Sequence, residues 1–307
     1  MGSEMCIRDR KRTCIILLQA VLLMAWYGGP CAAAMYHDAL GRPVKIQGRP
    51  KRIVSLAPSL TEILFFIGVG SRVVGVTRYS TYPPEARSLP RVGSYVNLNV
   101  ERIISLAPDL VIGTKDGNEP GAVRLLEQAG LAVYIVNPRT VMETAETIER
   151  IGEICGVGAR GRELGRKLRG RVTRIVRKTA SLPRPLVFVQ INIKPIMTVN
   201  ETTFHHDVIR LAGGRNLAAG LPVTYPRMGI EAVIQRKPDV IIISSMDTGG
   251  AYERARREWL QWTQIPAARE GRVYLVNSDL IDRPSPRIVQ GLETLARILH
   301  PEIDWGS

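Results

Sequence analysis

The chain has 307 residues, 45% of them hydrophobic, which is ample for two lobes with packed cores. Its formal charge is +14, and removing residues 1–34, which carry Arg8, Arg10, Lys11 and Arg12 against Glu4 and Asp9, leaves +12; such a surface favours an anionic ligand, membrane surface or nucleic acid. Three of the four cysteines (Cys6, Cys14, Cys31) precede residue 35, so Cys155 alone remains beyond it, which excludes an intrachain disulfide and a thiolate metal cluster there.

The N-terminus reads as a Sec-type export signal over residues 1–34. Arg10-Lys11-Arg12 is the charged region, Ile15 to Trp26 the apolar region, and Ala32-Ala33-Ala34 a small-residue cleavage site before Met35. Met1 to Arg10 resembles neither signal nor fold, and Pro30 makes Cys31 a poor lipidation site. These features predict an exported protein. Tyr36 to Arg49 reads as a polar lead-in. Arg52 to Leu56 reads as a first strand, and the helix after it as Ile63 to Ile67, with Ser59 or Thr61 as cap and Glu62 in the favourable first turn. A second strand follows at Val73 to Val76. Asn99 is placed to cap the helix that Glu101 opens.

From Glu101 the chain contains a unit that recurs at Glu231. Each copy has a glutamate, a short amphipathic run, Pro-Asp (Pro108-Asp109, Pro238-Asp239) and a β-branched apolar run that reads as a buried parallel strand. The match continues to Val133–Asn137 and Val273–Asn277; the second copy is ten residues longer, near Asp247 to Trp259. The repeat predicts an α/β protein with two similar lobes, residues 35–140 and 183–307. Between them, residues 141–182 are helical, interrupted at Gly156 and Gly158, which predicts a stiff linking helix. Its basic residues, Arg160 to Lys178, have helical spacing and few aromatics, unlike a nucleic-acid stacking platform. Trp259 and Trp262, three apart, read as a core face.

No GxSxG elbow, P-loop, HExxH or CxxC signature is present, and neither half carries a GxGxxG after its first strand, so neither an enzyme nor a dinucleotide or metal site is expected. His205-His206 reads as a solvated helix entry. Ligands of open parallel sheets sit at strand carboxyl ends. Those ends carry Pro58-Ser59, Arg78-Tyr79, Lys115-Asp116, Asn192 to Lys194, Ser245-Met246 and Asp282-Arg283, with Tyr95, Phe204 and Tyr225 on adjoining loops. Two such rims facing each other form a cleft with aromatic and cationic walls, suited to a large flat or anionic organic ligand.

Several stretches resemble the helical-backbone (class III) periplasmic substrate-binding proteins of ABC importers for cobalamin, ferric siderophores and haem. They are Arg52 to Glu62, Asn99 to Ile103, Pro108 to Val111 and Ser285-Pro286-Arg287; Tyr82-Pro83-Pro84 and Asn99-x-Glu101 are most similar to the cobalamin-binding branch. The resemblance implies two Rossmann-like lobes joined by one long rigid helix, an interlobe cleft, and a corrinoid or ferric-chelate ligand bound by a monomer without a resident cofactor. It also implies that Glu101 and Glu231 dock into the two permease subunits; the residues alone equally allow two helix-dipole carboxylates. Thr114 and Ile191 stand where the cobalamin binder has aromatic groups, while Tyr95 keeps a ring in place of another tryptophan.

Overall fold

The two Pro-Asp pairs of the repeat perform one task twice. In the computed structural model, which describes residues 33–245 and 250–305, Asp109 accepts hydrogen bonds from the backbone N–H groups of Lys51 (2.7 Å) and Arg52 (3.0 Å), and its own N–H donates to the Arg52 carbonyl. Asp239 repeats this at Leu186, accepting at 2.7 Å and donating at 2.9 Å. Each aspartate thus anchors the strand that opens its own lobe. The residue before each proline, Ala107 (φ 44°) or Lys237 (φ 49°), takes the left-handed conformation, and these are the two non-glycine residues with positive φ among the described residues.

The N-terminal lobe is a parallel sheet of β3 (Ile53–Ser55), β4 (Val73–Val76), β5 (Leu110–Thr114) and β6 (Val133–Val136), in the order β4-β3-β5-β6. The C-terminal lobe repeats it with β7 (Leu186–Gln190), β8 (Arg215–Asn216), β9 (Val240–Ser245) and β10 (Val273–Asn277), in the order β8-β7-β9-β10. In both, the second strand lies outside the first, and the strands after each Pro-Asp sit centrally, as their unbroken apolar runs require. Trp259 is buried in the second lobe, edge-on to Phe188, and its indole N–H donates to Gln190 at 2.6 Å. The span read as a polar lead-in is instead an antiparallel hairpin, β1 (Ala33–His37) with β2 (Pro43–Gln47), and alternate residues Val44 and Ile46 are buried. The remainder of the export signal, Met246 and the last two residues lie outside the described residues.

The connection 141–182 is a helical hairpin rather than one unbroken helix. α4 (Val141–Ile154) ends at Gly156, whose φ of +72° allows its N–H to reach the Glu153 carbonyl while that of Val157 reaches Gly152. The 22-residue α5 (Gly158–Thr179) then packs along α4. A methyl group on Gly152 would stand 3.0 Å from the Gly161 Cα, so the helices meet backbone to backbone at two glycines. One apolar cluster runs without interruption from Ile63 through Ile148, Leu164 and Leu168 to Leu292. The lobes therefore share a core through the hairpin, and a hinge would have to open it. Accordingly, scattering curves of the free and ligand-bound protein should give nearly the same radius of gyration; a drop of several ångströms would show a hinge that this packing forbids.

Candidate functional site: the interlobe cleft

The exit of β3 runs into α1 (Pro58–Phe66), with Pro58 in the first turn, Ser59 buried, and no side-chain cap. Of the two expected caps, Thr61 has other partners. Thr61 joins a buried hydroxyl chain with Ser55 (2.9 Å) and Ser80 (3.0 Å), and Ser80 continues it to Thr77 (2.9 Å). Arg91 closes the same loop by donating to the Thr77 and Ser80 carbonyls. This network holds the exit of β4, where Arg78 and Tyr79 are exposed and the guanidinium lies 5.8 Å from the Tyr79 ring centre.

The exit of β5 is organised by Asn118, which is buried. Its amide donates to the carbonyls of Leu56 (3.0 Å) and Tyr95 (2.9 Å), and its oxygen accepts from the Thr114 N–H (2.8 Å). Asn118 thereby ties two strand ends to the loop that carries Tyr95. Burial, followed by the nearby Tyr225 and Asp116, pushes the Tyr95 phenol above the usual tyrosine range. Gly117 (φ +123°) lies against that ring: a Cβ there would fall 1.9 Å from a ring carbon. The Gly117→Ala variant must therefore both strain the backbone and displace Tyr95, at a cost of roughly 2–4 kcal/mol. A fall in melting temperature together with a changed tyrosine near-ultraviolet signal would show this, whereas an unchanged spectrum would mean that the ring does not rest there.

Asp116, next in the loop, is held in a two-point ion pair with Arg139 (2.5 and 2.9 Å). It also lies close enough to Tyr225 of the C-terminal lobe to act on it: burial, then the charge of Asp116, raises the Tyr225 phenol. Lys115 is exposed beside it. On the opposite wall, Asn192 donates to the Pro195 carbonyl at 2.8 Å, and Lys194 is exposed. Phe204 opens α6 (Phe204–Leu211) and stacks on His205 at 4.0 Å, and the Tyr225 ring stands edge-on at 6.5 Å. His205 is buried, not solvated as the sequence suggested. Its Nε2 lies 3.2 Å from Asp282, which also accepts from Ser244, and its Nδ1 has no partner. The fold brings the two histidines apart in environment: His206 is half-buried, and desolvation lowers its pKa.

Sequence reasoning missed the largest electrostatic feature. Glu62 does not lie in the first turn of its helix, which begins at Pro58. It is buried and receives Arg287 at two points (2.7 and 2.8 Å), Ser285 (2.8 Å) and Arg283 (3.4 Å), all from the C-terminal lobe. Arg283 also pairs with Asp279 at 2.8 Å, so it is a member of this ionic cluster and not a free cleft cation. Tyr82 of the N-terminal lobe covers the Arg287 guanidinium at 4.0 Å. Burial alone would lower the Arg287 pKa, but Glu62 and Asp279 hold it above its ordinary value. The signal was present in Pro58 to Glu62 and Ser285 to Arg287, but nothing local pairs residues more than two hundred positions apart.

The docking candidates lie away from these contacts. Glu101 is exposed in the first turn of α2 (Val100–Ser105), capped as expected by Asn99, which accepts from the Arg102 N–H at 2.7 Å. Glu231 is exposed in the first turn of α7 (Ile230–Arg236). Neither has an ion-pair partner among the described residues. No group of three or more potential metal ligands occurs among those residues, and Cys155 is buried, which pushes its thiol up to about 12.

Comparison with known proteins places this architecture. Residues 53–280 match the periplasmic binding protein family. The vitamin B12-binding protein of Vibrio parahaemolyticus is 34% identical over 245 residues, covering 79% of this chain and 86% of that one. An uncharacterized ABC transporter substrate-binding lipoprotein of Bacillus subtilis, YvrC, is 34% identical over 272 residues, covering 86% and 85%. Among solved structures, the periplasmic vitamin B12 binding protein BtuF of Vibrio cholerae superposes with a TM-score of 0.75 at 32% identity, covering 82% of this chain and 97% of that one. A periplasmic heme binding protein from Pseudomonas aeruginosa gives 0.76 at 28%, covering 84% and 95%. With the duplicated lobes, the shared helical core and the cleft between them, these matches show that the chain belongs to the periplasmic binding protein family.

Proposed function

We propose that the protein captures a metal-chelate ligand, cobalamin foremost, in the interlobe cleft and delivers it to an ABC importer, docking through Glu101 and Glu231. The observation that carries this reading is the pair of partly buried tyrosines, Tyr95 and Tyr225, one from each lobe and both close to Asp116, with Lys115 and Lys194 exposed at neighbouring strand ends. Two aromatic rings with hydroxyl and carboxylate groups between them can grip a broad macrocycle by its faces and bond to its polar rim. The likeness to two vitamin B12-binding proteins supports the corrinoid. A ferric siderophore or haem is the second reading, favoured by Thr114 in place of a bulky aromatic ring and by the heme-binding neighbour.

The experiment is a titration of the purified protein with cobalamin, haemin and a ferric hydroxamate, followed by visible absorption and calorimetry. Cobalamin is expected to bind with 1:1 stoichiometry and to be weakened about tenfold or more by Tyr225→Ala, since one stacking group contributes ~1–3 kcal/mol. Tight binding of haemin or the hydroxamate without cobalamin would overturn the corrinoid reading, and binding of none would overturn the metal-chelate class.

A further inference from the structure

Helix α5 joins the lobes with its apolar stripe, Leu164, Leu168, Val172 and Ile175, turned inward. Its exposed residues are mostly cationic: Arg160, Arg162, Arg166, Lys167, Arg174 and Arg177, interspersed with Ala159, Gly170, Thr173 and Val176. The helix holds nine basic residues between Arg160 and Lys178 and one acid, Glu163. Glu163 pairs with Arg160 and Lys167, Glu149 of α4 pairs with Arg169, and Glu293 of α11 (Ile288–Leu299) pairs with Arg171. That leaves Arg162, Arg166, Arg174 and Arg177 exposed and without an ion pair among the described residues. At 1.5 Å per residue they form a row about 23 Å long. At its C-terminal end Lys178 stands over the Trp305 ring at 5.5 Å and donates to the Asp304 carbonyl, and an open recess of about 190 Å³ lies between Arg174, Lys178, Arg297 and Trp305.

We propose that this outer face of α5 is a docking surface for an anionic phospholipid leaflet. Four uncompensated guanidinium groups in one row match a plane of phosphates, which each can bind through paired N–H donors. The tryptophan and lysine at the end of the row are the residue types that settle at headgroup level. The apolar stripe of α5 is committed to the protein core, so contact is electrostatic, reversible and removed by salt. A nucleic acid fits less well: no aromatic residue lies within the row for bases to stack on. Glu101 and Glu231 sit on other helices, so the surface is separate from the proposed importer contacts.

Protein recovered from the envelope of cells expressing the full chain should co-sediment with phosphatidylcholine vesicles containing about a third phosphatidylglycerol, and be released by ~0.5 M salt. It should not sediment with pure phosphatidylcholine. Replacing Arg162, Arg166, Arg174 and Arg177 by glutamine should weaken partitioning about fivefold per residue, with ligand binding and melting temperature unchanged. The four-lysine variant should restore it. Equal binding to neutral vesicles, undiminished binding by the glutamine variant, or capture by double-stranded DNA or an acidic polypeptide without vesicle binding would each overturn the proposal.

Discussion

The Glu62→Ala variant is expected to melt roughly 10 °C below the parent protein. Among the described residues the carboxylate is the sole acid of the N-terminal lobe in the interlobe cluster; its side chain is 2% exposed, and it faces two arginines and a serine hydroxyl. Removing one partner of a buried pair leaves the other charges desolvated and uncompensated, which costs ~3–5 kcal/mol. For a chain of this size a kcal/mol corresponds to about 2–4 °C. Glu62→Gln keeps the shape and a group for Ser285 to donate to, yet loses the charge, so it should be destabilised nearly as much. Removing both charges should be far milder: Glu62→Gln combined with Arg287→Met is expected to recover much of the loss, because the penalty lies in the orphaned charge. If Glu62→Ala melts within about 2 °C of the parent, the cluster does not hold the lobes together. Because the cluster joins the lobes directly, the same variant should also increase hydrogen exchange at the start of α11 and in α1.

Charge reversal at both Glu101 and Glu231 is expected to abolish stimulation of the importer's ATPase while leaving ligand affinity nearly unchanged. Both carboxylates are exposed, in the first turn of short helices at equivalent places in the two lobes. Within the fold each contributes no more than its helix-dipole interaction, under ~1 kcal/mol, and Asn99 continues to cap α2 without Glu101. Stability should therefore fall by only a few degrees. Exposed charges of this kind fix orientation and speed encounter, so each single reversal should slow association and make it less sensitive to salt. Normal ATPase stimulation by the double variant would remove the docking role. Loss of ligand affinity instead would place both residues in the cleft.

Much of the architecture was legible in the order of residues. Apolar runs after each Pro-Asp are strands because a parallel sheet covered on both faces demands continuous β-branched stretches, and the repetition of that unit made two lobes the economical reading. The helical spacing of residues 141–182 identified the connection, although the left-handed turn at Gly156 folds it into a hairpin. The rim residues could be named because ligands of such sheets gather at strand ends. Their partners could not. Arg283 read as a free cation until the fold placed it between Glu62 and Asp279, and His205 read as solvated until Phe204, Tyr225 and Asp282 enclosed it. The same holds for the nearness of Asp116 to Tyr225, and for Glu62, which meets Arg287 across 225 positions of chain. Periodicity and turn chemistry act over a few residues, so the sequence by itself determined which segments become strands and helices and that they come twice. Which charge meets which depends on how the two lobes are set against their shared helical core, and only the tertiary structure decides that.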